Sequence, residues 1–279
     1  MFMISGKTTL IAHIGYPTEN FKAPLIYNPW FDANGIDAVV KPMGVKAEYY
    51  PTTLRALFKM TNIRGALITM PHKVTTLGLA DEASKTARIA GSANALRRTA
   101  DGKLIADMFD GTGFTRGLKR KGFQFARAKC LVVGAGGVGS AIAASLAAEG
   151  VASLTLFDAN AASAQSLAER LKLHYDKLDV TIELPSVAGR DLVVNATPVG
   201  MNEDDPLPFD VAELAPSTFV ADVVMKHEIT PLLAVAKARG CQIQIGTDML
   251  FEMIPAYLEF FGFGTTTPEE LRATAKVSY

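Results

Sequence analysis

The chain has 279 residues, enough for two domains that each bury their own core. Apolar residues make up 49% and charged residues 20%, a balance that excludes an intrinsically disordered chain. Lys plus Arg equals Asp plus Glu at 28 each, so there is no cationic excess to coat a nucleic-acid backbone, although a local basic pocket for a small anion is compatible with it.

The opening MFMISGKTTLIAHIG lacks a basic segment followed by a long apolar one, and no uncharged apolar run approaches the roughly 18 residues that a membrane helix needs. Cys130 and Cys241 each sit in an apolar run, with no CxxC or Cys/His cluster nearby. Free buried thiols, no metal, no membrane and a cytoplasmic setting are therefore expected.

In chain order, Thr9–Ile14 reads as a strand, Pro24–Asn34 as a helix, Ala38–Val45 as a strand and Thr52–Asn62 as a helix. A short apolar run at 65–69 and strand-like pieces at 93–96 and 103–106 follow, then a helix over 110–122. Strands alternating with helices predict an α/β fold with a largely parallel sheet. A second alternating block begins at Lys129–Val133, a continuous apolar run typical of a strand covered on both faces. Helix 138–148, strand 153–157, helix 162–173, strands 180–184, 192–195 and 219–223, helix 231–239 and strand 242–245 complete it. The tail at 249–261 is apolar at helical spacing and is expected to return to the first domain.

The sharpest local signal is Gly134-Ala-Gly136-Gly137-Val138-Gly139, placed directly after an apolar strand and before an Ala-rich helix. That context favours dinucleotide binding. The first glycine permits a tight turn, the second lets backbone approach a pyrophosphate, and the third lets helix and strand pack closely. The helix N-terminus offers N–H groups and a partial positive charge to the anion. Asp158 ends the next strand, where a carboxylate accepts from the adenosine ribose. It would repel a 2′-phosphate, and no Arg or Lys follows within Ala159–Gln165. NAD is accordingly expected over NADP, which stays open as the second cofactor.

With these residues in view, the chain from about residue 11 to residue 262 resembles the shikimate dehydrogenase family. The family's GxPxxxSxSP segment corresponds to Gly15-Tyr-Pro17 through Pro24, and its lysine motif to Gly65-Ala-Leu67-Ile-Thr69-Met-Pro71-His72-Lys73. Gly91-Ser-Ala-Asn94-Ala95, Met108-Phe109-Asp110-Gly111-Thr-Gly113, Asn195-Ala-Thr197-Pro-Val-Gly200-Met201 and Gly246-Thr-Asp248-Met249-Leu250 follow in the family's order. The resemblance implies an N-terminal α/β substrate-binding domain over 1–111, joined by helix 248–279, and a C-terminal Rossmann domain over 112–247. It implies Lys73 and Asp110 as the catalytic pair and Thr69 and Asn94 as contacts to ring hydroxyls. It also implies Gly134, Gly136, Gly137, Val138, Gly139, Asp158, Ala196, Thr197, Pro198 and Gly246 as cofactor contacts. Taken alone, Lys73 would be an ordinary helix-start lysine and Asp110 a helix cap. His72 reads as bland beside Lys73, and His13, His174 and His227 show no metal spacing.

Departures from the family concentrate in the substrate shell. Phe21 and Ala23 stand at the two serines that typically bind a carboxylate, and Leu67 at the asparagine of the lysine motif. Met108-Phe109 replaces Asn-Thr, Met225 a tyrosine, and Met253 a glutamine. Neither Phe nor Ala can donate a hydrogen bond from its side chain. Lys22, Thr18 and Asn20 are the nearby groups that could take over. The expectation is a dehydrogenase of a cyclic hydroxy acid or ketone with altered specificity, working as monomer or homodimer. An ordinary shikimate enzyme, a non-catalytic sensor on the same fold and a folate-type dehydrogenase are the alternatives; a sensor need not keep the Lys–Asp pair.

Overall fold

The computed structural model of the chain describes residues 3–19, 21–202 and 204–277. It divides into two compact units. One takes the chain up to Phe109 and again from Ile254 onward, and the other runs Asp110–Met253.

The first unit is built on β1 (Thr9–Gly15), α1 (Pro24–Ala33), β2 (Ala38–Gly44), α2 (Tyr50–Leu57), β3 (Ile63–Ile68), α3 (Lys73–Leu79), β4 (Glu82–Ala83), α4 (Lys85–Ala90), β5 (Ala95–Arg98) and β6 (Leu104–Asp107). These form one six-stranded sheet in the order β2-β1-β3-β5-β6-β4. Strand β1 is buried continuously from Ile11 to Gly15, as befits a central strand covered on both faces. The β1–β3 core is parallel, but β5 runs antiparallel to both β3 and β6. Its pairing with β6 follows from their connection, a hairpin closed by Thr99 N–H donating to Lys103 O at 2.9 Å, far too short for a parallel crossover.

The second unit comprises α5 (Asp110–Arg120), β7 (Lys129–Val133), α6 (Gly137–Ala148), β8 (Ser153–Phe157), α7 (Ala161–His174), β9 (Asp179–Ile182), β10 (Leu192–Asn195), β11 (Phe219–Asp222), α8 (Pro231–Ala238) and β12 (Ile243–Gln244). Its six strands are all parallel, ordered β12-β11-β10-β7-β8-β9. This is the doubly wound Rossmann order, which reverses direction between β7 and β10. Leu131, Val193, Val220 and Leu233 pack one side of its core.

Helix α9 (Gly246–Phe261) carries the chain from the second unit to the first, the assignment changing between Met253 and Ile254. Its last turns pack in the first unit, where Phe261 fills the space a side chain at Gly65 would need and Tyr257 Oη donates to Asn94 O at 3.3 Å. Helix α10 (Pro268–Thr274) starts on a reciprocal Thr267/Glu270 capping box and lies against α1. Cys130 and Cys241 are buried free thiols, and no helix among the described residues is long and apolar enough to cross a membrane.

Candidate active site

In the first unit the substrate-motif residues gather at the ends of β1 and β3. Gly15 closes β1, and a side chain there would collide with Thr69 Cγ2, with Met70 O at 2.8 Å and with Phe21 Cζ at 2.8 Å. Glycine at 15 is what lets the segment of Phe21 and the turn of Thr69 approach the strand end together. Thr69 N–H donates to Ile14 O at 2.9 Å and Tyr16 N–H to Met70 O at 3.0 Å, and both Tyr16–Pro17 and Met70–Pro71 are cis. Phe21 and Ala23 are half-buried. Thr18 turns its methyl toward Gly44, while Asn20 lies outside the described residues.

Lys73 is the first residue of α3 and is half-buried. The preceding residue, His72, is structural. Its ring lies parallel to Tyr50 with centroids 3.9 Å apart, Nε2 donates to Val45 O at 2.7 Å, and burial lowers its pKa. Thr76, one turn later, binds His72 O through Oγ1 at 2.8 Å and meets Tyr50 Oη at 2.5 Å. The start of α3 is thus anchored by side chains rather than by helix propensity, which a Lys-Val-Thr-Thr segment has little of.

Asn94 is almost fully buried at 1% exposure. Ala93 N–H donates to Lys73 O at 2.9 Å, Ile68 N–H to Asn94 O at 2.7 Å, and Phe109 N–H to Asn94 Oδ1 at 2.9 Å. Asp110 is the next residue along the chain, buried at the first turn of α5 in the second unit. Leu67 and Met108 are buried core residues, and Phe109 packs edge-on against Tyr257 and Phe260. Their apolar side chains fill the unit's interior where the family pattern has polar ones.

In the second unit the glycine loop follows β7. Gly134 has φ +104, and a side chain on it would strike Ala196 O at 2.7 Å. A methyl at Gly139 would overlap the Gly134 carbonyl oxygen. By contrast, a Cβ at Gly136 meets nothing within 4 Å, so there is open room beside the N-terminus of α6. The first turn of a helix leaves N–H groups without intrahelical partners, and Gly137 and Val138 lie there. The loop therefore fits a pyrophosphate by shape and by charge. Asp158 Oδ2 accepts from Ala135 N–H at 2.7 Å and Oδ1 from Asn160 N–H at 2.8 Å.

After β10, Asn195 organises the opposing loop. Its Oδ1 accepts from Thr197 Oγ1 at 2.6 Å and from Thr197 N–H at 3.1 Å, while Nδ2 donates to Val199 O at 2.9 Å and Asp222 Oδ1 at 3.0 Å. Asp222 also accepts from Thr230 Oγ1 at 2.7 Å, and burial raises its pKa. Gly246 packs on the end of β11, where a side chain would meet Val223 O at 2.8 Å and Met225 Cγ at 2.9 Å. Gly134 thus adjoins Gly139, Ala196 and Thr197, and Gly246 and Met225 form a second group. Met253 packs instead on Gly113 of α5. Asn195 heads a family motif, but its role in holding this loop and the part of Asp222 were not legible from the motif; a buried asparagine and aspartate closing apolar strands was the available signal. Among the described residues no group of three or more His, Cys, Asp or Glu could hold a metal ion.

Residues 13–96 match the shikimate dehydrogenase substrate-binding domain, and residues 120–177 match the ThiF family. The shikimate dehydrogenase (NADP(+)) of Rhodospirillum rubrum is 34% identical to this chain, over 97% of this chain and 98% of its own length. The chain belongs to the shikimate dehydrogenase family. The family's members are oxidoreductases that act on CH–OH groups. Among solved structures, the shikimate 5-dehydrogenase of Listeria monocytogenes in complex with shikimate and NAD is 28% identical, with a TM-score of 0.90 over 98% of both chains. The 5-ketofructose reductase of a Gluconobacter strain is 26% identical, with a TM-score of 0.88 over 97% of this chain and 98% of its own.

Proposed function

We propose that this family member interconverts a ring hydroxyl and a ketone using NAD, with Lys73 and Asp110 as its reactive pair and with a substrate that is not held through serine hydroxyls. The observation that carries this reading is a short line of bonds. Lys73 O takes the Ala93 N–H, the adjacent Asn94 takes the Phe109 N–H through its side chain, and Asp110 follows Phe109. The lysine, asparagine and aspartate motifs are thus tied to one another by backbone, and the family's reactive residues stand at both ends of the tie. Folding that fixes Asn94 also fixes the start of α3 and the end of the first unit at Phe109.

A bound nicotinamide supplies or takes up the hydride. Forming an alcohol from a ketone puts negative charge on oxygen, which the Lys73 ammonium neutralises and protonates. Asp110 would contribute the carboxylate that orients the lysine side chain. In the opposite direction the same pair takes the hydroxyl proton. Gly134, Gly136, Gly137, Val138 and Gly139 would hold the pyrophosphate, and Ala196, Thr197, Pro198 and Gly246 would border the cofactor. Asp158 keeps lone pairs for a ribose hydroxyl and repels a 2′-phosphate.

Lys73→Ala should lower kcat about a hundredfold or more while dinucleotide affinity stays close to that of the unmodified protein. Asp110→Asn should show a related loss, and the double variant little more than either single one if the two act as a unit. Near-normal turnover in Lys73→Ala sinks the assignment.

Phe21 and Ala23 favour a second reading of the substrate. The Gluconobacter neighbour is named for 5-ketofructose, a polyhydroxy ketone without a carboxylate, and a site lacking the carboxylate-binding serines suits a molecule of that kind.

A further inference from the structure

His13 has no part in the family pattern or in the reactive pair. It lies on β1, two residues before Gly15 and therefore on the same face of the strand. Its ring stacks on Phe21, with centroids 4.0 Å apart and planes 29° apart. Phe21 in turn touches the Gly15 position together with Thr69. The imidazole is thus in direct contact with the residue that stands where relatives carry a carboxylate-binding serine.

His13 is only 9% exposed, and its Nδ1 is fully buried with no hydrogen-bond partner among the described residues. Such an atom costs stability, and an apolar ring in its place would stack on Phe21 without that cost. Its neighbours in register are Pro42 on β2 and Leu67 on β3, neither of which offers a side-chain partner. Burial also lowers its pKa to about 4, so at neutral pH the ring is uncharged and cannot attract a carboxylate as a cation would.

We propose that His13 is a substrate-binding residue, whose imidazole takes a hydroxyl or carbonyl group of an uncharged polyhydroxy ketone at the place where relatives hold a carboxylate. The chemistry follows from the contacts. Phe21 and Ala23 remove the hydroxyl donors that an anion needs. The stacked imidazole offers Nδ1 as a single donor or acceptor, according to its tautomer, suited to a neutral hydroxyl, and Phe21 supplies a flat face for the carbon skeleton. This inference rests on the reading of the first unit as the substrate domain of a dehydrogenase, and it assigns that domain's specificity to a residue outside the family's motifs.

The test uses the full-length protein with NAD or NADH and three probes: 5-ketofructose, shikimate and quinate. The unmodified protein should turn over 5-ketofructose with a higher kcat/KM than either acid. His13→Phe should raise KM for 5-ketofructose about five- to tenfold, the size of one neutral hydrogen bond, with kcat little changed. The same substitution should leave kcat/KM for the two acids unchanged, and His13→Gln, which keeps a donor and an acceptor, should recover part of the loss. Higher efficiency on shikimate or quinate than on the ketone overturns the inference, as does a KM for the ketone that His13→Phe does not move. Lys73→Ala separates the two levels. If turnover is abolished in Lys73→Ala but indifferent to His13, the dehydrogenase reading stands and the role of His13 fails. If turnover survives Lys73→Ala, or if no probe is turned over, both fail.

Discussion

Asp158 commits one oxygen to Ala135 N–H and the other to Asn160 N–H, so it both shapes the glycine loop and sets the charge beside it. A carboxylate oxygen has capacity for a second donor, and the adenosine ribose can provide it. Asp158→Ala should therefore weaken binding of both cofactors by loosening the loop, and should weaken NAD more than NADP because only NAD loses the 2′-hydroxyl contact while NADP escapes a repulsion. Ratios of kcat/KM for the two cofactors measure this, and a ratio favouring NADP in the unmodified protein would refute the role of Asp158. Residues of this kind were legible in the sequence because a fixed spacing from the glycine loop locates them. His13 was not. A search for metal-ligand spacing discounts it, and its contact with Phe21, eight residues later, exists only once the turn between them has folded back on Gly15. The same holds for the apolar shell: Phe21 and Ala23 are visible as departures from a motif, but where each packs depends on the folded turn.

Helix α6 and strand β7 meet through a glycine pair, and their closeness shapes the loop proposed to hold the dinucleotide. A methyl at Gly139 would overlap the Gly134 carbonyl, a backbone atom that cannot swing aside. Gly139→Ala should accordingly push α6 off the sheet, destabilise the second unit by about 1–3 kcal/mol and abolish measurable cofactor binding. Calorimetric titration with NAD, alongside thermal unfolding, reads both effects; tight binding in Gly139→Ala would show that the loop has slack. Strands covered on both faces were the most readable elements, and β7, β8 and β10 fall at the residues their apolar runs imply. Short elements held by tertiary contacts were less readable: Lys73 reads as a helix start, but nothing in the sequence sets the extent of its helix. Helix α3 has seven residues rich in β-branched side chains and depends on His72, Thr76 and Tyr50. Helix α4 has six residues, fixed by a Ser84 cap accepting from Ala87 N–H at 3.0 Å and by Gly91 at φ +68. Helix α10 was readable in principle, since Thr267-Pro268-Glu269-Glu270 is a capping box with proline at the first turn. The antiparallel β5 escaped notice because alternation of strands and helices implies parallel pairing, and only the short hairpin at 99–103 says otherwise.

Over the whole molecule, the two buried histidines of the first unit make its stability depend on pH. His13 titrates at about 4 when folded, against 6.5 for an unburied imidazole, and burial lowers His72 in the same direction. Between those values the unfolded chain binds a proton that the folded chain refuses, so stability rises with pH through this window and is lost as pH falls from 6.5 toward 4. The His13 contribution alone is on the order of 3 kcal/mol. Asp222 works the other way in the second unit. Its raised pKa means the folded carboxyl keeps a proton that the unfolded one has released, so stability there falls as pH rises above 3.8 toward the folded value. Separating the two effects requires a probe confined to one unit. The chain has one tryptophan, Trp30, buried in α1 of the first unit with Nε1 donating to Thr266 Oγ1 at 3.0 Å. Its fluorescence during urea unfolding should show the first unit weakening from pH 7 to pH 4. In His13→Phe, which has no proton to take up, the fall should be smaller by on the order of 3 kcal/mol, with the His72 share remaining. Equal pH slopes in the two proteins would mean that His13 protonates without cost in the folded state. Its nitrogen would then have a partner or open water, and the burial that makes it an unsatisfied group in the substrate domain would not hold in solution.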